Sequence, residues 1–380
     1  MKKGRRILKI LFLAWKDIQH PTHGGAEVVL HELAKRLVKD GNEVTILTAA
    51  YNHAPARATL DGVHIIRVGK NRYLHPFQAL RYYRKHLRHK FDVIIETVNT
   101  APYFHVFSGD SAKSFLMYHQ LAREIWFHES FTPISHIGYW LLEPIATWLL
   151  GKSKAKTITV SESTKRDLQR FGFTPSQIAI ISEGIPIAPI KNLDTIKKFD
   201  KPTILSHGSI RAMKRTLDQI KAFEIAKKQI PDLQLKISGS AEGTYGRKVL
   251  AYITRSPYHN DIEYCGRTTE EEKIELMQKS HAIIVTSLKE GWGIIVTEAA
   301  SQGAPAVVYD VDGLRDSVRN GITGIVTATN SEALASGIVT TLQDESLYRQ
   351  LRRQAWEWSK QITFDRSYKD FVKIVGAIHD

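Results

Sequence analysis

Lys289-Glu290-Gly291-Trp292-Gly293-Ile294-Ile295-Val296-Thr297-Glu298 is the stretch whose reading decides the fold. The apolar run Ala282-Ile283-Ile284-Val285 precedes it and ends at Thr286 and Ser287. Ala299-Ala300-Ser301-Gln302-Gly303 and a second apolar run, Ala306-Val307-Val308-Tyr309, follow. Short apolar runs on either side of a glycine-bearing loop read as strand, loop, helix, strand. Glu290 falls in the loop at the strand's C-terminal end, and Glu298 lies eight residues later inside the helix. Open α/β sheets take ligands at the carboxyl ends of their strands. Two carboxylates and a helix N-terminus at that edge could hold an anionic, hydroxyl-rich ligand. A plain βαβ unit with a solvated glutamate in its loop accounts for this window equally well.

Working outward, the same alternation fills the second half. Thr203-Ile204-Leu205-Ser206-His207-Gly208 reads as a strand that leads through Ser209 to Arg215 into a helix ending near Ile230. Leu233 to Ile237 and Ile262 to Gly266 are further strands, and a helix over Glu270 to Lys279 leads back to the opening stretch. Arg211, Lys214 and Arg215 occupy the loop after this half's first strand, on the same predicted edge as Glu290. Fixed cations at a strand–helix turn suit a diphosphate. They sit poorly at the positive end of a helix unless an anion joins them.

The first half repeats the scheme. Ile7 to Ala14 is the first strand; Gly24-Gly25 then opens an amphipathic helix carrying Val28, Leu30, Leu33, Leu37 and Val38 on its apolar face. A glycine pair at such a helix start lets a phosphate approach backbone amides, and a tight turn explains it equally well. Glu43 to Leu47, Val63 to Val68, Phe91 to Glu96, Phe115 to His119, Lys156 to Val160 and Ile178 to Ile181 read as strands, with Ser161 as a helix N-cap. His119 thus falls at a strand end on the edge of the Gly24-Gly25 loop. Trp126 to Leu150 is rich in large apolar residues, and a core helix pair is the expectation; an exposed apolar surface for a lipid acceptor or membrane interface is the alternative.

Length favours two domains, since a 380-residue chain exceeds one ordinary core. The expected division is residues 1–185, a linker at 186–201, a second domain at 202–361, and a C-terminal helix at 362–380 packing back toward the first domain. One cysteine, Cys265, excludes an internal disulfide and a cysteine-rich zinc site. Of the formal net charge of +14, residues 1–200 carry +12 and the remainder +2. The segment Lys70 to Lys90 holds seven Lys and Arg and no acidic residue, with aromatics interleaved. A solvated helix face is one reading of it and attraction to an anionic membrane surface the other. Nucleic acid ranks lowest, because no recognised nucleic-acid module accompanies the cluster. The basic N-terminus resembles a signal peptide, but Lys9 interrupts its apolar segment, so a buried first strand is expected. No run reaches the length of a membrane span.

Taken together, Gly24-Gly25, Gly208 followed six residues on by Lys214, and Glu290-Gly291-Trp292-Gly293 with Glu298 are similar to the motifs of retaining, family 4 glycosyltransferases. The match continues into Gly303-Ala304-Pro305 and Val311-Asp312-Gly313-Leu314. The resemblance implies an α/β chain of GT-B fold, two Rossmann-like domains with an inter-domain cleft. It implies that the second domain binds a nucleotide-sugar donor of UDP or GDP type. Glu298 would accept hydrogen bonds from the ribose, and Glu290 would face the donor sugar. The backbone around Gly291, Gly293, Ile294 and Ile295 would lie against sugar or phosphate. Lys214 would neutralise the diphosphate beneath Gly208, the Gly25 loop would close over it, and His119 would stand near donor and acceptor. The family usually has arginine directly after the glycine equivalent to Gly208; here the residue is Ser209, and Arg211 is the replacement within reach.

The expected function is therefore a metal-independent, retaining transfer of a sugar to an envelope glycan or a lipid-linked acceptor, in the cytoplasm or at the cytoplasmic membrane face. No metal and no cofactor are expected. Asp310-Val311-Asp312 has the letters of a metal site but reads as structural. The rivals are a sugar-nucleotide epimerase on the same fold and a non-enzymatic protein binding polyanions or membranes.

Overall fold

The computed structural model describes residues 6–71 and 74–376. Its chain divides into two units: one runs to Gly184 and takes in the helix Phe364–Gly376, and the other is Ile185–Thr363.

The first unit is built on eight strands: β1 (Lys9–Leu13), β2 (Glu43–Thr48), β3 (Arg57–Leu60), β4 (Val63–Arg67), β5 (Val93–Val98), β6 (Lys113–Tyr118), β7 (Lys156–Thr159) and β8 (Ile178–Ile180). They lie in the order β3-β4-β2-β1-β5-β6-β7-β8. Every pair is parallel except β3–β4. That hairpin is absent from the sequence reading, although Asp61 and Gly62, both at positive φ, are the two-residue turn that twisted hairpins favour. One face of the sheet carries Ile10, Phe12, Ile46 and Ile95, all buried; the helices Gly25–Lys39 and Phe364–Gly376 belong to that side, with the Phe371 ring 6.4 Å from Phe12. The other face carries Leu11, Leu13 and Ile94, packed with Ala79 and Tyr83, and Leu116 and Tyr118, packed with Leu150 and Leu168.

The second unit has six strands, all parallel: β9 (Thr203–His207), β10 (Gln234–Ser238), β11 (Ile262–Gly266), β12 (Ala282–Val285), β13 (Ala306–Tyr309) and β14 (Gly324–Thr327). Their order is β11-β10-β9-β12-β13-β14. Leu205, Leu235, Ile283 and Val307 are fully buried, as near-continuous apolar strands with both faces covered require. The helix Gly243–Arg255 between β10 and β11 is a further element the sequence reading did not assign.

The segment 186–201, expected as a linker, is a strap bound to the second unit. Ile187 and Leu193 are buried, and the Ile190 N–H donates to the Ser301 carbonyl at 3.0 Å. Lys198 donates to the carbonyls of Gln278, Ser280 and Gly303, each at 2.8 Å. Burial, with Arg352 adding to it, pushes the Lys198 ammonium well below the ordinary lysine range. A periodicity search misses such a segment because its order comes from side chains meeting another element's carbonyls.

In both sheets the chain order reverses beside the first strand. β1 lies between β2 and β5, and β9 between β10 and β12. The loops leaving β1, β9 and β12 therefore open at topological switch points, where a parallel sheet leaves room for a ligand.

Candidate active site

After β9 the chain passes Gly208, Ser209 and an exposed Arg211 into a short 3-10 turn, Ala212–Lys214. It then turns left-handed at Arg215 (φ +52°) and starts the helix Thr216–Lys227. The loop after β12 is stitched to this turn. The Thr286 hydroxyl donates to the Lys214 carbonyl at 2.8 Å and accepts from Gln219 at 2.9 Å, and the Leu288 N–H donates to the Met213 carbonyl at 2.8 Å. The stitching brings two predicted site residues together: Lys214 Nζ lies 2.5 Å from Glu290 Oε1, which also accepts from the Ser287 hydroxyl at 2.6 Å.

Glu290 is held from the far side. Its N–H donates to the Asp312 carbonyl at 3.0 Å, and Gly313 approaches so closely that an added Cβ would stand 2.3 Å from the Glu290 carbonyl oxygen. Gly291 and Trp292 follow, and Gly293, at φ +87°, turns the chain into the helix Ile294–Ser301. No side chain caps that helix, and its first turn has no acidic residue. Among the described residues, then, neither a cap nor a first-turn carboxylate offsets its partial positive charge, which suits an anion.

Glu298 sits one turn deeper. Its buried carboxylate lies 3.2 Å from Lys273 Nζ, which also pairs with Glu270 at 2.7 Å. Burial raises the Glu298 pKa, with Lys273 opposing the shift. Burial also works against the Lys273 ammonium, but Glu298 and Glu270 outweigh it and hold its pKa above the ordinary lysine value. At the end of β9, His207 Nδ1 is 2.7 Å from the Ser238 hydroxyl, which is 3.2 Å from that of Thr268. Burial, reinforced by Lys273, lowers the His207 imidazole to about 4, so it is neutral at pH 7. Lys273, His207 and Ser238 escaped the sequence reading. Lys273 stands 25 residues before Glu298 on another helix, and no spacing joins them.

Two predicted cations part company. Arg215 turns away, pairing with Asp218 at 2.6 Å, donating to the Thr329 carbonyl at 3.2 Å and lying 4.9 Å from the Tyr309 ring centre. It braces the helix start, which corrects its reading as a diphosphate ligand. Asp310 and Asp312 are both engaged by Arg315, at 2.7 and 2.5 Å, and Lys289 pairs with Asp312 at 3.1 Å. That is the structural role read for the triplet.

Gly24, Gly25 and His119 belong to the first unit. The Gly24 N–H donates to the Glu27 carboxylate at 2.6 Å, so this helix start is closed by its own third residue. Glu27 thus supplies a carboxylate at the helix start read as a phosphate site, where it takes up the Gly24 N–H. His119 follows β6, its carbonyl accepts from the Thr164 hydroxyl at 3.0 Å, and its Nδ1 stands 3.9 Å from the Glu183 carboxylate. His119 Nε2 and Glu183 Oε2 are buried with no hydrogen-bond partner among the described residues. Glu96, the last residue of the strand read from Phe91, is fully buried and accepts from the N–H groups of Tyr103, Phe104 and His105. Burial outweighs those bonds and lifts its pKa to about 7. It organises the loop after β5.

The comparisons with known proteins bear on the family and the fold. The family model for glycosyltransferase family 4 matches residues 23–188, and that for glycosyl transferases group 1 matches residues 191–358. Over 195 residues the chain is 31% identical to the poly(glycerol-phosphate) alpha-glucosyltransferase of Bacillus subtilis, an alignment covering 51% of this chain and 27% of that protein's length. Sucrose-phosphate synthase of Thermosynechococcus elongatus superposes with a TM-score of 0.78 at 16% identity, covering 98% of this chain and 99% of that one. The Anabaena protein HepE, solved with UDP and glucose, superposes with a TM-score of 0.72 at 16% identity, covering 97% and 100%. Likeness at such identity establishes fold. The two family models, in tandem over nearly the whole chain, establish more: this chain belongs to the glycosyltransferases of GT-B fold, a family 4 domain followed by a group 1 domain.

Proposed function

We propose that the chain is a retaining glycosyltransferase that moves a sugar from a nucleoside diphosphate to an envelope glycan or a lipid-linked acceptor without a metal. The observation that carries this reading is the Lys214–Glu290 pair beside the uncapped helix start at Gly293, with buried Glu298 one turn below. Departure of the nucleoside diphosphate places new negative charge on its terminal phosphate. Lys214 and Arg211, with the N-terminus of the helix Ile294–Ser301, supply fixed positive charge for it. Lys214 leaves Glu290 for the phosphate, which frees the Glu290 carboxylate for the donor sugar. Glu298, paired with Lys273, accepts from the ribose hydroxyls, and Ser209 leaves the work of the missing arginine to Arg211. A UDP-type donor is favoured by the UDP and glucose bound to the Anabaena protein, and an anionic envelope polymer as acceptor by the poly(glycerol-phosphate) in the Bacillus relative's name.

A thermal-shift panel of nucleotides and nucleotide sugars, followed by product analysis with the stabilising donor, tests this. Stabilisation by one nucleoside diphosphate, acceptor-dependent product with retained anomeric configuration, and turnover unchanged by EDTA are expected. Conversion of the donor without any acceptor would instead mark an epimerase. No shift with any nucleotide would overturn the donor assignment.

A further inference from the structure

The helical segment around residues 134–152 is built inside out. Its inward positions are Ser135, Gly138, Glu143, Thr147, Leu150 and Gly151, mostly small or polar. Its outward positions are Ile137, Trp140, Leu141, Ile145, Trp148 and Leu149, all exposed, with Trp140 at 66% and Leu141 at 54%. Their spacing of three and four residues makes one apolar stripe facing away from the protein. This corrects the expectation of a core helix pair over Trp126 to Leu150.

The stripe rests on a fixed base. The buried Glu143 carboxylate accepts from the N–H groups of Ala122 and Arg123 at 2.5 and 2.8 Å and from the Trp126 indole at 3.2 Å. Gly138 passes so close to Trp126 that a Cβ would lie 2.3 Å from that ring. The inner face is thus specified by hydrogen bonding and close approach. The outer face is apolar and exposed, and exposed contiguous apolar surface of this kind marks an interaction site.

A second observation gives the partner its charge. Leu13, Glu96 and Leu116 lie side by side in register across β1, β5 and β6, so the residues beneath the two helical segments share one sheet face. Ala79 and Tyr83 pack there on Leu11 and Leu13, and Leu150 on Leu116 and Tyr118. The segment His75–Leu87 and the apolar segment therefore belong to the same outer layer of one unit. On the former and just after it, Arg81, Arg84, Lys85, Arg88 and Lys90 are exposed, and none makes an ion pair among the described residues.

We infer that this layer is a membrane-docking face: the stripe from Ile137 to Leu149 enters one leaflet of an anionic bilayer, and the cations from Arg81 to Lys90 bind its headgroups. Apolar insertion and headgroup attraction are the two contributions an interfacial surface combines. No helix among the described residues is long and apolar enough to cross the bilayer, so attachment is to one face of it. A second copy of the chain fits poorly, because it would bring the same unpaired cations together. Nucleic acid would leave the apolar stripe unused. The inference does not depend on the donor chemistry, and a failed sugar-transfer assay would leave it standing.

The test is flotation of the full chain with vesicles of phosphatidylcholine, alone or with a third phosphatidylglycerol, at physiological salt. Binding to the anionic vesicles is expected, with weak binding to the neutral ones. The pair Trp140→Glu and Ile145→Glu should lower partitioning at least tenfold without moving the unfolding midpoint, since both side chains are exposed. The triple Arg84→Ser, Lys85→Ser and Arg88→Ser should lower binding to anionic vesicles by about fivefold per charge, and so about a hundredfold in all. It should leave binding to neutral vesicles unchanged. Failure of the wild type to float, or undiminished floating of both variants, overturns the proposal. So does a dimer that the Trp140→Glu and Ile145→Glu changes dissociate while vesicles bind neither form.

Discussion

Two glycines each begin a helix after a β-strand, and the two helix starts behave differently. At Gly24 the backbone is extended (φ −137°), and the third residue of the helix, Glu27, folds back to accept from the Gly24 N–H at 2.6 Å. At Gly293 the backbone is left-handed (φ +87°), and no side chain caps the helix. The first end has neutralised itself. The second keeps its positive character beside Lys214 and Glu290. A glycine at a helix start is therefore no sign of an anion site until the third residue has been traced. The Gly293 end is also the one braced from below by a buried ion pair, Lys273 with Glu298.

The largest effect is expected from breaking that brace. Lys273→Met leaves Glu298 buried and unpaired, and urea unfolding should show a loss of about 3–5 kcal/mol. A loss below about 1 kcal/mol would mean that water already solvates the Glu298 carboxylate. Next, Lys214→Ala should reduce kcat by about two to three orders of magnitude, the scale of removing one preorganised charge stabiliser. Its unfolding midpoint should barely move, because Lys214 is partly exposed. Intact turnover with a nucleotide sugar would remove Lys214 from the diphosphate.

The glycines then separate the two ends directly. Gly293→Ala puts a Cβ 2.8 Å from the Leu314 side chain at a positive φ and should cost about 1–3 kcal/mol. Gly24→Ala meets only the Glu27 carboxylate at 3.6 Å in an extended backbone and should be near neutral. Equal costs at the two positions would dissolve the contrast. Smaller again, Glu27→Ala should cost about 0.5–1 kcal/mol as a lost cap, read from the same unfolding curves.

Acid offers the last check. His207 titrates near 4 in the folded chain against an unperturbed 6.5, so between those values the unfolded chain binds the extra proton. The stability His207 contributes is present above pH 6.5 and is lost as the pH falls toward 4. His207→Asn should therefore lower unfolding midpoints less between pH 6.5 and 4 than the native residue does.

Much of this was legible in the residues themselves. The strand at Ala282 to Val285, the Gly293 turn and the helix through Glu298 follow from apolar run length and one glycine, because a buried parallel strand and a helix start are local requirements. The helix Glu270–Lys279 stands at the bounds read from its sequence, begun by Thr269 with Glu272 in a capping box. The Asp61-Gly62 hairpin carried an equally local signal that went unread.

What the amino-acid sequence determined by itself was the alternation of strand and helix in two α/β halves and the loops that open at the sheet edges, while the GT-B fold came from the resemblance of its motifs to a known family. Tertiary structure alone decided which charges in those loops meet. Arg215 and Lys214 are neighbours in sequence, yet one braces Asp218 and the other reaches Glu290, 76 residues away. It alone decided that Glu27 closes the Gly24 helix start and that Lys273 answers Glu298. It also turned the large residues of the segment 134–152 outward. Periodicity marks an apolar stripe but not its direction; that depends on Glu143 binding the amides of Ala122 and Arg123 and on Gly138 lying against Trp126. Pattern is local and survives in one dimension, whereas burial and charge pairing exist only once distant segments share a volume.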